Sequence, residues 1–229
     1  MNQFIKEQML IGKEALEKLK TKKVAIFGLG GVGSFVVEAL SRACIGKFVL
    51  IDNDKVEKSN INRQLIALFS TIGKEKVEVC RERILDINPY ANIKTYSIFY
   101  SKDNGKGIIN GCDYVVDAID SVGSKIELIK ECSELKIPII SSMGTGNKLK
   151  PEMFEIDDIY NTSICPLCRI IRHELRKIGI KELKVLYSKE PPIQVDYSKY
   201  EEKGPASISF VPSIAGLRIA GEVIKHLIK

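Results

Sequence analysis

Four glycines within six residues, Gly28-Leu-Gly-Gly-Val-Gly33, follow the short apolar run Val24-Ala-Ile-Phe27 and open an amphipathic stretch. A glycine-rich turn between a strand and a helix lets the backbone close on an anion, and the first N–H groups of the helix face the same point. A second apolar run, Phe48-Val-Leu-Ile51, ends in Asp52, nineteen residues after Gly33. An acid at such a strand end can hydrogen-bond a ribose hydroxyl. Gly28, Gly30, Gly31, Gly33 and Asp52 therefore predict a βαβ unit that binds an adenine nucleotide, and NAD fits this spacing as well as ATP does.

The alternation continues beyond that unit. Val36, Val37, Leu40 and Ala43 recur at helical spacing between Gly33 and Ala43, as do Val77, Cys80, Ile84 and Ile87 between Lys74 and Asn88. Strands are predicted at Ile93–Tyr96, Tyr114–Asp117 and Pro138–Ser141, with a helix at Ser124–Leu135 turning Ile126, Ile129 and Cys132 inward. This order specifies an α/β fold, a Rossmann-like, doubly wound, mostly parallel sheet. Beyond Met143 the pattern changes to a basic helix (about Pro166–Ile178), a strand (Lys184–Tyr187) and a proline- and tyrosine-containing loop. A strand at Ile208 and Phe210 and a helix carrying Ile214, Leu217, Ile224 and Leu227 then return apolar surface to the core. The chain reads as a single domain over residues 1–229, with a nucleotide-binding core at 22–142, an excursion at 143–206 and a returning strand and helix at 207–229. A chain of 229 residues buries such a core without disulfides or metal.

What favours ATP over NAD is the stretch after Asp52. Asp54, Asn60, Arg63, Gln64 and Lys76 lie just beyond strand ends, and Asp120 follows the fourth strand. A dinucleotide's pyrophosphate is already served by the glycine loop. ATP carries a third phosphate and a metal, for which Arg63 and Lys76 supply cations and Asp120 a ligand for Mg²⁺.

Six cysteines at irregular spacing, four of them in apolar segments, read as reduced core thiols and predict a cytoplasmic protein. Residues 1–20 lack the uninterrupted apolar core of a signal peptide and read as one short amphipathic helix. Ile208–Ile228 is cut by Arg218, Glu222 and Lys225, so no membrane span is expected. Thirty-five Lys and Arg against twenty-nine Asp and Glu give a net charge of +6. An excess of five cations lies within residues 165–189 alone, where seven basic residues meet only Glu174 and Glu182. Arg169, Arg172 and Arg176, three and four apart, would share one helical face suited to phosphates.

Gly28–Gly33, Leu50-Ile-Asp-Asn-Asp54, Asn60-Ile-Asn-Arg-Gln64, Gly73-Lys-Glu-Lys-Val-Glu78, Ile87-Asn-Pro89 and Asp117-Ala-Ile-Asp-Ser121 resemble, in that order, the adenylating core of the ubiquitin-activating-enzyme-like superfamily that includes MoeB, ThiF and HesA. The resemblance covers about Leu10 to Met143. It implies that Asp52 binds ribose, that Asn60, Arg63, Gln64 and Lys76 surround the phosphates, and that Asp120 coordinates Mg²⁺. The implied chemistry is attack of a carboxylate on ATP to give an acyl-adenylate and pyrophosphate. Members that activate a ubiquitin-like sulfur carrier usually bear zinc on two Cys-x-x-Cys pairs. This chain has one pair, Cys165-Pro-Leu-Cys168, with His173 as the one further candidate ligand, so zinc is not expected.

The remaining segments, Ser141–Leu149, Asp157–Tyr160, Cys165–Arg169, Leu183–Glu190 and Ile208–Gly216, resemble the tRNA threonylcarbamoyladenosine dehydratase branch. That branch is understood to cyclise N6-threonylcarbamoyladenosine in tRNA with loss of one water. The resemblance implies ATP, Mg²⁺, a tRNA partner contacted by Arg169, Arg172 and Arg176, a homodimer, and a possible sulfur-relay partner. Lys6 stands where the superfamily often has an arginine reaching the neighbouring subunit's nucleotide. The alternatives are an adenylyltransferase for a sulfur-carrier protein and an NAD-binding module.

Overall fold

A computed structural model describes residues 3–200 and 204–229. Residues 1 and 2 of the expected amino-terminal helix, and 201–203 of the excursion, lie outside the described residues. The amino-terminal segment forms two helices, α1 (Ile5–Ile11) and α2 (Lys13–Thr21), rather than one. The break falls at Gly12, whose φ of +87° no continuing helix adopts.

Seven strands build one sheet: β1 (Lys23–Phe27), β2 (Lys47–Ile51), β3 (Asn92–Tyr96), β4 (Tyr114–Asp117), β5 (Ile139–Ser142), β6 (Phe154–Asp158) and β7 (Lys184–Ser188). Their order is β3-β2-β1-β4-β5-β7-β6, and every pairing is parallel except that of β6 with β7. The central strands are buried on both faces, which is why β1, β2 and β4 read as unbroken apolar runs instead of alternating ones.

Helices α3 (Gly33–Arg42), α4 (Lys76–Ile87) and α7 (Phe210–Ile228) cover one face. Val36, Leu40, Val77, Cys80 and Ile84 from the first two pack there with Val24, Ile26, Phe48 and Leu50. On the other face, α5 (Val122–Leu135) sets Leu128 and Cys132 against Ala25, Phe27, Val49 and Val115. Beyond it, α6 (Pro166–Lys177) places Cys168, Ile171 and Leu175 over β7, together with Cys165 just before it.

Two carboxy-terminal expectations differ from the structure. Residues 205–208 form no strand, and α7 begins at Phe210 with Pro212 in its first turn, where the missing N–H costs nothing. The inward face of α7 is the ridge Val211, Ala215, Ile219, Val223 and Leu227, four residues apart, while Leu217 is exposed. Strand β6, at a sheet edge, carries Glu155, Asp157 and Asp158, and this charge hid it from a reading of apolar runs.

Candidate nucleotide site

Strand order reverses between β1 and β4, and the loops leaving these strands diverge there. Ligands of open α/β sheets bind in such a crevice. Here it is a cleft of about 600 Å³ at the carboxyl ends of β1, β2, β4 and β5. Gly28, Gly30, Gly31, Asp52, Asp54, Asn60, Arg63, Gln64, Lys76 and Asp120 all line it. Gly33 does not: it sits in the first turn of α3, where a Cβ would lie 1.8 Å from the Gly28 carbonyl oxygen, so its role is close packing.

The glycine loop divides its work. Gly28 has φ +81° and a Cβ there would meet the Ala118 carbonyl oxygen at 2.5 Å, so the turn cannot be built with a side chain. Around Gly30 the space is open, the nearest atom being Gln64 Nε2 at 3.7 Å. That opening, above an array of helix-end N–H groups, suits a phosphate.

Asp52 is tied to the loop it was expected to assist. Its Oδ2 accepts from the Leu29 N–H at 2.6 Å and its Oδ1 from the Asp54 N–H at 2.9 Å. Burial raises its pKa, opposed by the Lys76 charge and these two N–H donors. Lys76, at the start of α4, is buried and donates to Asp54 Oδ2 at 2.8 Å. Arg63 Nη1 donates to the Ser59 carbonyl at 2.8 Å and to Asn62 Oδ1 at 2.9 Å. Asn60 Oδ1 accepts from the Glu57 N–H at 3.2 Å and so caps the turn carrying Asn60 and Arg63. Gln64 is buried, and its Oε1 has no hydrogen-bond partner. An orphaned buried carbonyl is costly unless a ligand or water meets it. Asp120 follows β4 on an exposed turn with no hydrogen bond or ion pair among the described residues.

One cluster under the cleft escaped the sequence reading. Lys125, Asp117 and Ser141 are buried, and Lys125 Nζ lies 2.9 Å from Asp117 Oδ2. Lys125 precedes Leu128, Ile129 and Cys132 by three, four and seven residues, so helical spacing alone places it on the inward face.

The basic helix is only partly as expected. Arg169, Arg172 and Arg176 flank one shallow groove with Ile170 and His173. Arg172 is spent within the fold: its Nη1 donates to the carbonyls of Ile159 (3.0 Å) and Thr162 (2.9 Å) and to Thr162 Oγ1 at 2.5 Å. The Arg176 guanidinium lies over the Tyr160 ring, 5.5 Å from its centre, and the Arg169 guanidinium has no partner among the described residues. Acids from outside the segment reduce the local charge excess through the pairs Lys184–Glu222 and Lys189–Glu155. Leu167 brings the first turn of α6 to the rim of the nucleotide cleft.

Cys165 and Cys168 are buried free thiols at that same turn, whereas His173 is exposed in the arginine groove. A hydrogen bond from the Cys168 thiol brings the Cys165 thiol down to about 6; the N–H groups of Cys168 and Leu167 and the Lys148 charge act in the same sense, against burial. Among the described residues no three His, Cys, Asp or Glu side chains are grouped to hold a metal, and no helix is long and apolar enough to cross a membrane.

A glycine loop at a switch point, a strand-end acid and converging cations and amides define a nucleotide-binding α/β protein that handles phosphate charge. The chain belongs to the ThiF family, whose model matches residues 5–229. It is 43% identical over 243 residues to the tRNA threonylcarbamoyladenosine dehydratase of Bacillus subtilis, covering 100% of this chain and 96% of that protein. The structure of E. coli tRNA N6-threonylcarbamoyladenosine dehydratase in complex with ATP superposes with a TM-score of 0.90 at 32% identity, over 98% of this chain and 93% of that one. The adenylyltransferase and sulfurtransferase MOCS3 of Drosophila yakuba, 34% identical, matches over 70% of this chain and 34% of its own length.

Proposed function

We propose that this chain is an ATP-dependent tRNA threonylcarbamoyladenosine dehydratase. The observation that carries the reading is the end-to-end match to the Bacillus subtilis enzyme, which includes the excursion and α7 as well as the nucleotide core. The sulfurtransferase relative matches over a smaller share of the chain, so activation of a sulfur carrier is the weaker reading.

The glycine loop takes the phosphates, with Gly30 leaving room for them. Asp52, anchored by the Leu29 and Asp54 N–H groups, presents its remaining lone pairs to the ribose. Lys76 and Arg63 neutralise the β- and γ-phosphates, and the Gln64 Nε2, the atom nearest the Gly30 opening, donates to them. Asp120 fits Mg²⁺: a hard cation held by one or two carboxylates, with phosphate oxygens and water filling its octahedron, is this ion's ordinary mode. Bound there, Mg²⁺ supplies charge neutralisation at the attacked phosphate.

In the first step a carboxylate oxygen of the threonyl group attacks the α-phosphorus, forming a C–O–P anhydride and expelling pyrophosphate. In the second, an atom of the ureido group of the same side chain attacks the acyl carbon, the C–O bond to phosphate breaks to release AMP, and the ureido group gives up one N–H proton. The tethered nucleophile supplies the effective concentration that a catalytic cysteine would otherwise have to provide. Arg169 and Arg176, on the helix whose first turn reaches the cleft rim, bind tRNA phosphates, and Arg172 holds that helix in place. Lys6 on α1, beside the exposed Met9 and Leu10, lies at a homodimer interface.

The test is mass spectrometry of nucleosides from tRNA treated with protein and Mg·ATP. Threonylcarbamoyladenosine should lose one water with release of AMP and pyrophosphate, and unmodified tRNA should not react. No water loss, together with adenylation of a diglycine-ended carrier, overturns the proposal. Arg169→Glu with Arg176→Glu should weaken tRNA binding and lower the slope of its salt dependence by about two, one per phosphate contact. Nucleotide binding should survive.

A further inference from the structure

The fully buried ion pair beneath the cleft has no evident use in stability. Lys125 Nζ lies 2.9 Å from Asp117 Oδ2, and both side chains are 0% exposed. Desolvating two such charges is expensive, and apolar replacements of buried pairs are often neutral or stabilising. Its surroundings suggest another use. Lys125 leaves the first turn of α5 and reaches inward to the ends of β4 and β5. There its ammonium also donates to Ser141 Oγ at 3.3 Å, and the Ser141 hydroxyl donates to the same Asp117 oxygen. The second oxygen, Oδ1, accepts from the Ile119 N–H at 3.1 Å. An aspartate that binds the N–H two residues ahead fixes the turn that follows it. That turn is Ala118-Ile-Asp120. Its other side is fixed by the Ala118 N–H donating to the Phe27 carbonyl at 2.8 Å and by Gly28 packed against the Ala118 carbonyl.

We propose that Lys125 is a positioning residue: by clamping Asp117 it fixes the β4 exit turn that presents the Asp120 carboxylate to the cleft. The inference deepens the reading of Asp120 as the Mg²⁺ ligand and rests on it. Without the ammonium, the Asp117 carboxylate is left to Ser141 and Ile119 in a dry interior, and the turn relaxes. The turn meets the glycine loop at Ala118, whose N–H bond to the Phe27 carbonyl does not involve Lys125, and Lys76, on α4, lies outside the cluster.

The experiment is calorimetric titration of ATP, with and without Mg²⁺, into wild type, Lys125→Met and Asp120→Ala. In wild type Mg²⁺ should tighten ATP binding, and Asp120→Ala should abolish that gain. Lys125→Met should reduce the gain by about tenfold, while Mg²⁺-free ATP affinity stays within about threefold of wild type. A purely structural role would move both affinities or neither. Since an unpaired buried carboxylate can prevent folding, the apolar pair Lys125→Met with Asp117→Val is measured alongside under the same criterion. If Asp120→Ala keeps the Mg²⁺ gain, the reading of Asp120 fails. If Asp120→Ala loses the gain while a folded Lys125 variant keeps it, the positioning role is overturned.

Discussion

Lys76→Met separates catalytic charge from packing more cleanly than any other change at the site. The lysine stem is buried and methionine retains most of its apolar bulk, so the first turn of α4 keeps its cover. The ion pair that is lost joins Lys76 to an Asp54 side chain that is 56% exposed. Such a half-solvated pair contributes about 0–1 kcal/mol, and the melting temperature should fall by a few degrees at most. The effect on chemistry should be far larger. Removing one group aimed at developing charge costs about 10²–10³ in rate, or about 2.7–4 kcal/mol. The released Asp54 carboxylate then faces the phosphates and adds repulsion of the same sign. Adding Asp54→Asn should therefore restore part of the lost rate without reaching wild type. Pyrophosphate release at saturating Mg·ATP and modified tRNA, with thermal melts of the same samples, provides the measurement. Turnover within about threefold of wild type in the single variant would refute the assignment of Lys76 to the phosphates.

Gly30→Val should fold normally, since a Cβ there meets nothing nearer than Gln64 Nε2 at 3.7 Å, yet lose ATP binding; equilibrium dialysis showing unchanged affinity would exclude the loop as the phosphate site. For Glu38, burial raises the pKa but hydrogen bonds from Arg83 and Arg42 outweigh it, leaving a net lowering. The stability this confers is complete above the unfolded glutamate value of about 4.3 and is lost as pH falls through the folded one. Wild type should accordingly melt above Glu38→Gln at neutral pH and converge with it in acid, as a series of melts would show. Thiolate absorbance should titrate with a midpoint of about 6 and vanish in Cys165→Ser. The Cys165→Ser, Cys168→Ser protein should keep its turnover, with less than stoichiometric zinc in wild type by elemental analysis.

Much of the cleft's lining was legible because its information is local. The glycine loop, Asp52 and the Asn60-to-Lys76 stretch follow two consecutive strands whose apolar runs are recognisable, and a right-handed βαβ connection brings their carboxyl ends together. Asp120 was reachable by the same logic from β4. What tertiary structure decided was where each polar group spends its hydrogen bonds. Arg172 carries the same charge and helical spacing as Arg169 and Arg176, but the turn at Ile159–Thr162 lies within its reach and takes its guanidinium. Asn60 caps its own turn, and Asp52 grips the glycine loop as it faces the cleft. Strand β6 exists because β7 offers an edge to pair with, since its own sequence is too charged to announce a strand. Ile208 and Phe210 alternate like a strand, but Ile208 joins no strand and Phe210 opens α7. Lys125 stands at inward spacing with Leu128, Ile129 and Cys132, but its partners are decided only when Asp117 and Ser141 arrive from two different strands. Periodicity depends on neighbours along the chain, whereas the satisfaction of a buried charge depends on partners that only the folded sheet brings within 3 Å.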